Sequence, residues 1–268
     1  MITSWNVNKN ESAVSHAART FIKEYDDLLI VHELKRGHIK NVSSELADMG
    51  LELILPQNEQ KYSADFYTAA VCKKGAYTLD ESFAAVAFEE YRNRVIVLHK
   101  TAVRDMYIIG VHIPLNGNSG FSATNYWDSL IELRRIMPKD KPVICMGDLN
   151  TCEPGHYSKS RLYEFMSKGF VDFWTEKGYG HNAEAFPEAA TYVQVDKKTG
   201  KKTNERLDYV LVTGKDFAKL NIRYDIYTDS SVLFIDPVTH KERQDGLSDH
   251  SAIMLGTPSE LEPFKTKT

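Results

Sequence analysis

Three cysteines in 268 residues, Cys72, Cys145 and Cys152, are too few for a disulfide framework and show no Cys-x-x-Cys metal spacing. Their odd number reads as reduced thiols in a cytoplasmic protein. Long apolar runs are also missing, and none approaches the roughly 18 residues that a membrane span requires. The stretch Met1-Ile2-Thr3-Ser4-Trp5-Asn6 has neither the basic nor the apolar region of a signal peptide, which again points to the cytoplasm. Positive charge is not in excess: 33 Lys and Arg stand against 37 Asp and Glu, a net charge of −4. That argues against a protein that coats nucleic acid electrostatically, but not against a nuclease, which needs only a local positive groove around an acidic metal site. No Pro/Gly/Ser-rich linker, internal repeat or low-complexity segment divides the chain. One domain over residues 1–256 is expected, followed by a polar tail at 257–268. A hydrophobic fraction of 42% is ample for one large core.

What is present is a series of apolar strand-like runs that end in polar groups. Met1–Val7 ends at Asn6-Val7-Asn8, and Leu28-Leu29-Ile30-Val31 runs into His32-Glu33-Leu34-Lys35. A carboxylate at the end of a buried strand is costly unless it is exposed, paired or used. Tyr107-Ile108-Ile109-Gly110-Val111 ends in His112, which reads as hydrogen-bonded scaffolding or as chemistry. Pro142-Val143-Ile144-Cys145-Met146 leads to Gly147-Asp148-Leu149-Asn150. Its Asp-x-Asn is either a turn bonded to its own backbone or a carboxylate and amide aimed at one point, since residues two apart on an extended chain share a side. Arg206-Leu207-Asp208-Tyr209-Val210-Leu211-Val212 and Ser248-Asp249-His250-Ser251 complete the set.

Helices are expected near 12–22, 40–49 (closed by Gly50), 126–137 and 159–168, and further strands near 51–55, 66–73, 95–100 and 222–227. Residues 191–195 and 206–212 read as two strands of a hairpin around a lysine-rich turn at Lys197, Lys198, Lys201 and Lys202. The alternation of strands and helices in the first half, with strands clustered in the second, suits an α/β (α+β) sandwich with helices outside layered sheets.

Strand ends thus supply Asn6, Glu33, His112, Asp148, Asn150, Asp208, Asp249 and His250. Carboxylates and an amide suit a hard divalent cation, while imidazoles and amides suit phosphoryl oxygens and proton movement. In these pieces, taken in order from Ser4-Trp5-Asn6-Val7-Asn8 to Leu247-Ser248-Asp249-His250, the sequence resembles the endonuclease/exonuclease/phosphatase superfamily over nearly its whole length. The resemblance implies the deoxyribonuclease I-like fold, a four-layer α/β/β/α sandwich of two packed mixed sheets. It implies Glu33 as main metal ligand, helped by Asn6 and Asp249, with Mg²⁺ the usual ion and Mn²⁺ a substitute. Asp148 and Asn150 resemble the pair that orients the attacking water. His250 looks like the catalytic histidine, and Asp208 like the carboxylate that fixes its tautomer. Which of His250 and Asp148 takes the water's proton stays open.

Two departures stand out. His32 occupies the place where the family commonly has Gln, and His112 stands where abasic-site endonucleases usually carry tyrosine. By resemblance, His112 is a second phosphate-side acid with Asp65 as a carboxylate partner. Arg92 or Arg94 contacts a phosphate or else pairs with Glu89 or Glu90. Asn116 and the four hairpin lysines are candidates for substrate contact, and a solvated hairpin tip is the alternative for the lysines.

The expected activity is metal-dependent phosphodiester hydrolysis by in-line attack of water, with DNA or RNA as substrate and no membrane or obligate protein partner. The alternative is a phosphatase or phosphodiesterase acting on a small phosphorylated molecule or a lipid headgroup. A third class, a non-catalytic binding module, would have lost metal ligands that are all present here.

Overall fold

The apolar runs read as continuous because both faces of their strands are covered, and the arrangement of layers bears this out. The computed structural model of the chain describes residues 1–56, 65–88, 90–100, 105–115, 123–151, 159–179, 190–195, 198–214, 217–225, 234–235, 242–243 and 247–264. The first part of the chain forms β1 (Ile2–Asn6), α1 (Glu11–Phe21), β2 (Leu28–Lys35), α2 (Ile39–Asp48), β3 (Leu51–Ile54) and β4 (Phe66–Lys73). Next come β5 (Thr78–Leu79), α3 (Glu81–Ala87), β6 (Val95–Lys100), β7 (Met106–His112), α4 (Ala123–Ile136), β8 (Val143–Asp148) and α5 (Lys159–Met166). The remainder is β9 (Phe170–Asp172), α6 (Phe173–Glu176), β10 (Tyr192–Val195), β11 (Lys202–Glu205), β12 (Asp208–Thr213), β13 (Asn221–Asp225), β14 (Phe234–Ile235), β15 (Glu242–Arg243), β16 (Ala252–Gly256) and α7 (Pro258–Leu261).

Two six-stranded mixed sheets result, ordered β13-β16-β1-β2-β4-β3 and β5-β6-β7-β8-β12-β9. Alternation along each strand sorts side chains between layers. Leu28 and Ile30 join Ile96, Ile108, Met146 and Val210 between the sheets. Leu29 and Val31 face the other way, onto Val14, Ala17 and Phe21 of α1 and Leu46 of α2. The outer face of the second sheet lies under Tyr126, Trp127 and Leu130 of α4. The fold is therefore the α/β/β/α sandwich, and no helix among the described residues is long and apolar enough to cross a membrane.

Several elements differ from the sequence reading. β10 pairs with β11, not with the strand at 208–213; Arg206 and Leu207 part the two, and β12 belongs to the second sheet. Phe173 opens α6 because the Asp172 side chain caps it, accepting from Trp174 N at 3.2 Å. Helix α3 is an addition to the expected elements: seven residues carry little periodicity, and Asp80 supplies its cap by accepting from Ser82 N. The stretch expected as a tail also departs, since Thr257 and Glu260 form a capping box around α7, Leu261 is buried, and Phe264 lies 5.4 Å from the Phe21 ring.

Candidate active site

Strand register carries the polar ends to one edge of the sandwich. In the second sheet His112 stands opposite Asp148, and Asp148 opposite Asp208, so three neighbouring strands present one row. In the first sheet Asn6 ends β1 opposite His32. Alternation alone would point Glu33 away from this row. A register shift between Val31 and Leu34, with Glu33 at φ +58°, breaks the alternation and re-aims the carboxylate. Asn6 Nδ2 then lies 3.4 Å from Glu33 Oε1 and 3.0 Å from Asp148 Oδ2.

Asp148 is the hub. Its Oδ1 accepts the Asn150 backbone N–H at 2.9 Å, and Asn150, at φ +46°, donates its own amide to the Ile113 carbonyl at 2.7 Å. Asp148 Oδ2 is 3.9 Å from Nε2 of both His112 and His250. Beneath it, Gly147 has φ +145°, and a Cβ there would fall 2.0 Å from the Val111 carbonyl and 2.8 Å from His32 Cε1. Only glycine lets β8 pass over the His32 ring. His32 is fully buried, bonded to Ser4 Oγ at 2.8 Å and Thr68 Oγ1 at 3.3 Å. It acts as packing under the site, its pKa pushed down to about 3 by burial against the opposing pull of Asp208.

His250 is fixed from several sides. Its Nδ1 lies 2.9 Å from Asp208 Oδ2, its N–H bonds to Ser248 Oγ, and its carbonyl accepts from Trp5 Nε1 at 2.8 Å. The Tyr192 ring stands 4.9 Å away, where the base of the β10–β11 hairpin bridges to His250. Thr191 Oγ1 accepts from the backbone N–H groups of Leu207 and Asp208, which fixes the start of β12. Arg206 anchors the same corner through a buried two-bond pair with Asp172 at 2.7 and 2.6 Å. Ser248, Thr191 and the Arg206–Asp172 pair were not singled out from the sequence. The Ser248-x-His250 spacing, which lets a hydroxyl bond the backbone two residues on, was the available signal.

The electrostatics divide the two buried imidazoles, His112 and His250. Burial disfavours a charged His250, but the carboxylates of Asp208, Asp148 and Asp249 outweigh it and push the pKa up to about 10. His112 goes the opposite way: burial and the adjacent Arg94 guanidinium hold it well below its ordinary value. Arg94 Nη1 is 3.3 Å from His112 Nδ1. Burial and the Asp208 charge raise Asp148, only partly offset by His250.

Not every expected residue arrives. Asp65 is exposed, and its backbone carbonyl accepts from Arg36 N, while the His112 nitrogens face Arg94, Glu33 at 3.7 Å and Asp148. The expected Asp65–His112 pairing is therefore replaced by contacts to Arg94 and the two acids. Arg92 pairs with Glu81 of α3 rather than turning to the site. Asp249 is exposed at the rim, near enough for its charge to act on His250 and Tyr192. Lys198 and Lys201 are exposed on the hairpin turn. Asn116, Lys197 and the Lys202 side chain lie outside the described residues.

Two sets of donors suit a cation. Asp148, Asp208 and His250 offer ligand atoms within 4.8 Å of one another. Two of them are already bonded together, and a protonated imidazole has no lone pair to give. Glu33 fits better, because its Oε2 is buried and has no hydrogen bond among the described residues. The Asn6 amide oxygen, a hard donor of the same kind, here accepts the Asn8 N–H at 3.0 Å.

The chain matches the model of the Endonuclease/Exonuclease/phosphatase family over residues 3–250. Its fold is similar to the 3′ phosphatase NExo from Neisseria bound to a product DNA hairpin, with 17% identity, TM-score 0.66 and coverage of 96% of this chain and 98% of that one. An AP endonuclease from Archaeoglobus fulgidus gives 14%, 0.64, 96% and 98%. TDP2 from D. rerio, complexed with a single-strand DNA product, gives 14%, 0.60, 96% and 97%. No curated protein matches the chain by sequence. With the motifs, the sheet order and the family match in agreement, the chain belongs to the endonuclease/exonuclease/phosphatase family of phosphoric ester hydrolases.

Proposed function

We propose that this chain is a divalent-metal-dependent nuclease that hydrolyses phosphodiester bonds of DNA or RNA. The observation that carries the reading is the gap around Asp148 Oδ2, flanked at 3.9 Å by a histidine held charged on one side and a histidine held neutral on the other. Oδ2 already accepts the Asn6 amide at 3.0 Å, but 3.9 Å to each ring is too long for a hydrogen bond, so neither imidazole is spent on this carboxylate oxygen.

Asp148, central and raised in pKa, takes the proton of the attacking water, while Asn150 and Asn6 fix the direction of its carboxylate. His250 stays protonated against Asp208 and presents Nε2–H to the phosphoryl oxygens. His112, kept neutral, donates a hydrogen bond from its ring in place of the acid role expected from sequence, and Arg94 adds positive charge beside it. Mg²⁺, or Mn²⁺ in its stead, would be held by Glu33 with Asn6 and Asp249, and when bound supplies neutralisation of phosphoryl charge.

A nucleic-acid substrate is favoured by the lysines exposed on the hairpin whose base adjoins His250, and by the DNA bound to two of the similar structures. Among the described residues Cys72 and Cys145 are buried free thiols, which suits a reducing compartment such as the cytoplasm. The test is turnover of plasmid DNA, single strands, RNA and a simple phosphomonoester with Mg²⁺ or Mn²⁺. Cleavage of a nucleic acid that a chelator and His250→Ala both abolish is expected. Turnover of the phosphomonoester alone would move the reading to a small-molecule phosphatase.

A further inference from the structure

The turn after β1 holds a cation that the site described above leaves unused. Asn8 and Lys9 are both in the left-handed region, at φ +43° and +65°. A lysine adopts that conformation only under backbone strain. The turn is fastened by Asn10 N to the Val7 carbonyl at 2.9 Å and by the Asn10 amide to the Leu247 carbonyl at 3.1 Å. The result is aim: Lys9 Nζ lies 3.3 Å from Glu33 Oε2, the same oxygen that no hydrogen bond satisfies, and 5.1 Å from the centroid of the Phe66 ring. The Lys9 side chain is 42% exposed and Glu33 19%, so the ammonium sits at the mouth and the carboxylate below it.

We propose that Lys9 is a tethered counter-cation of Glu33 that yields the carboxylate to a divalent ion and then binds a substrate phosphate. An ammonium and a metal ion cannot share one carboxylate oxygen without strong repulsion at contact distance. The displaced ammonium keeps its place on the rim, on a long flexible stem, where a phosphodiester must pass to reach Asp148. Substrate and metal thereby become coupled: the ion frees the lysine, and a phosphate that holds the lysine lowers its competition for Glu33. The inference rests on the phosphoesterase reading for its second half and on Glu33 geometry alone for its first.

The test measures free Mn²⁺ by electron paramagnetic resonance in titrations of the whole protein, without turnover. Lys9→Met is expected to bind Mn²⁺ about threefold to tenfold more tightly than the parent, Lys9→Arg to stay near it, and Lys40→Met, which removes an exposed charge from α2, to change nothing. A short DNA duplex at saturating Mn²⁺, bound to the turnover-poor His250→Ala protein, should lose about threefold to tenfold in affinity when Lys9→Met is added and keep it with Lys9→Arg. Unchanged Mn²⁺ affinity in Lys9→Met, an equal gain in Lys40→Met, or unchanged duplex affinity overturns the proposal. A parent that binds no duplex marks failure of the nuclease reading instead, and the Mn²⁺ titration then decides the Lys9–Glu33 competition alone.

Discussion

The two ends of the same strands treat buried charge in opposite ways. At the end away from the site, Asp27 is closed on every side: Oδ2 accepts the N–H groups of Lys23 and Glu24 at 2.7 Å each, and Oδ1 the Met1 ammonium at 2.7 Å. Asp26 pairs with Lys100 at 2.8 Å, and its carbonyl accepts the Tyr77 hydroxyl at 2.6 Å. At the site end His250 and Asp208 close to 2.9 Å, but Asp148 stands 3.9 Å from both histidines and Lys9 3.3 Å from Glu33, one carboxylate oxygen has no hydrogen bond among the described residues, and Asn8, Lys9, Glu33 and Asn150 hold left-handed backbones. Closed charge stabilises a fold, whereas open charge and strained backbone are what a reacting group requires.

That contrast breaks most sharply at Glu33. Glu33→Gln should cut turnover about a hundredfold to a thousandfold. Its melting temperature should hold or rise, as it does when an unsatisfied charge is relieved; a protein that loses activity by unfolding would show Glu33 to be scaffold. Asp27→Ala should do the reverse, costing about 2–4 kcal/mol in denaturant unfolding by orphaning its donors. Activity per folded molecule should be unchanged in that variant, and a lowered turnover at full folding would erase the distinction between the ends.

Asp208→Asn should lose activity about tenfold to a hundredfold through a misoriented His250. Near-normal rates would mean that the 2.9 Å contact is structural only. The smallest effect is expected at the hairpin. Lys198→Ala with Lys201→Ala should weaken nucleic-acid binding a few-fold and flatten its dependence on salt, as read from binding titrations at several ionic strengths.

Much of this was legible because it is written in short-range patterns. β4, β6 and β7 begin and end where the apolar runs do, and the residues at strand ends come together because pairing aligns those ends. What could not be read depends on partners far along the chain. Nothing local announces a bulge at Glu33, since glutamate is not among the residues enriched at φ above zero. Arg92 finds Glu81 only because α3 forms, and Arg206 separates β11 from β12 by reaching Asp172, 34 residues away. Asp65 sits beside a segment whose length gives no register, so its distance from His112 was not recoverable.

The place of β1 sets a timetable. It is bordered by β2 on one side and β16 on the other, with Ser4 paired to Ile253. β1 must wait for the far later β16 before its sheet can close, and contacts of such long sequence separation are slow to form. His250 reaches Asp208 only after that closure. A chain in which β16 has not yet paired thus holds no assembled site, and phosphate-ester hydrolysis begins only with the completed sheet.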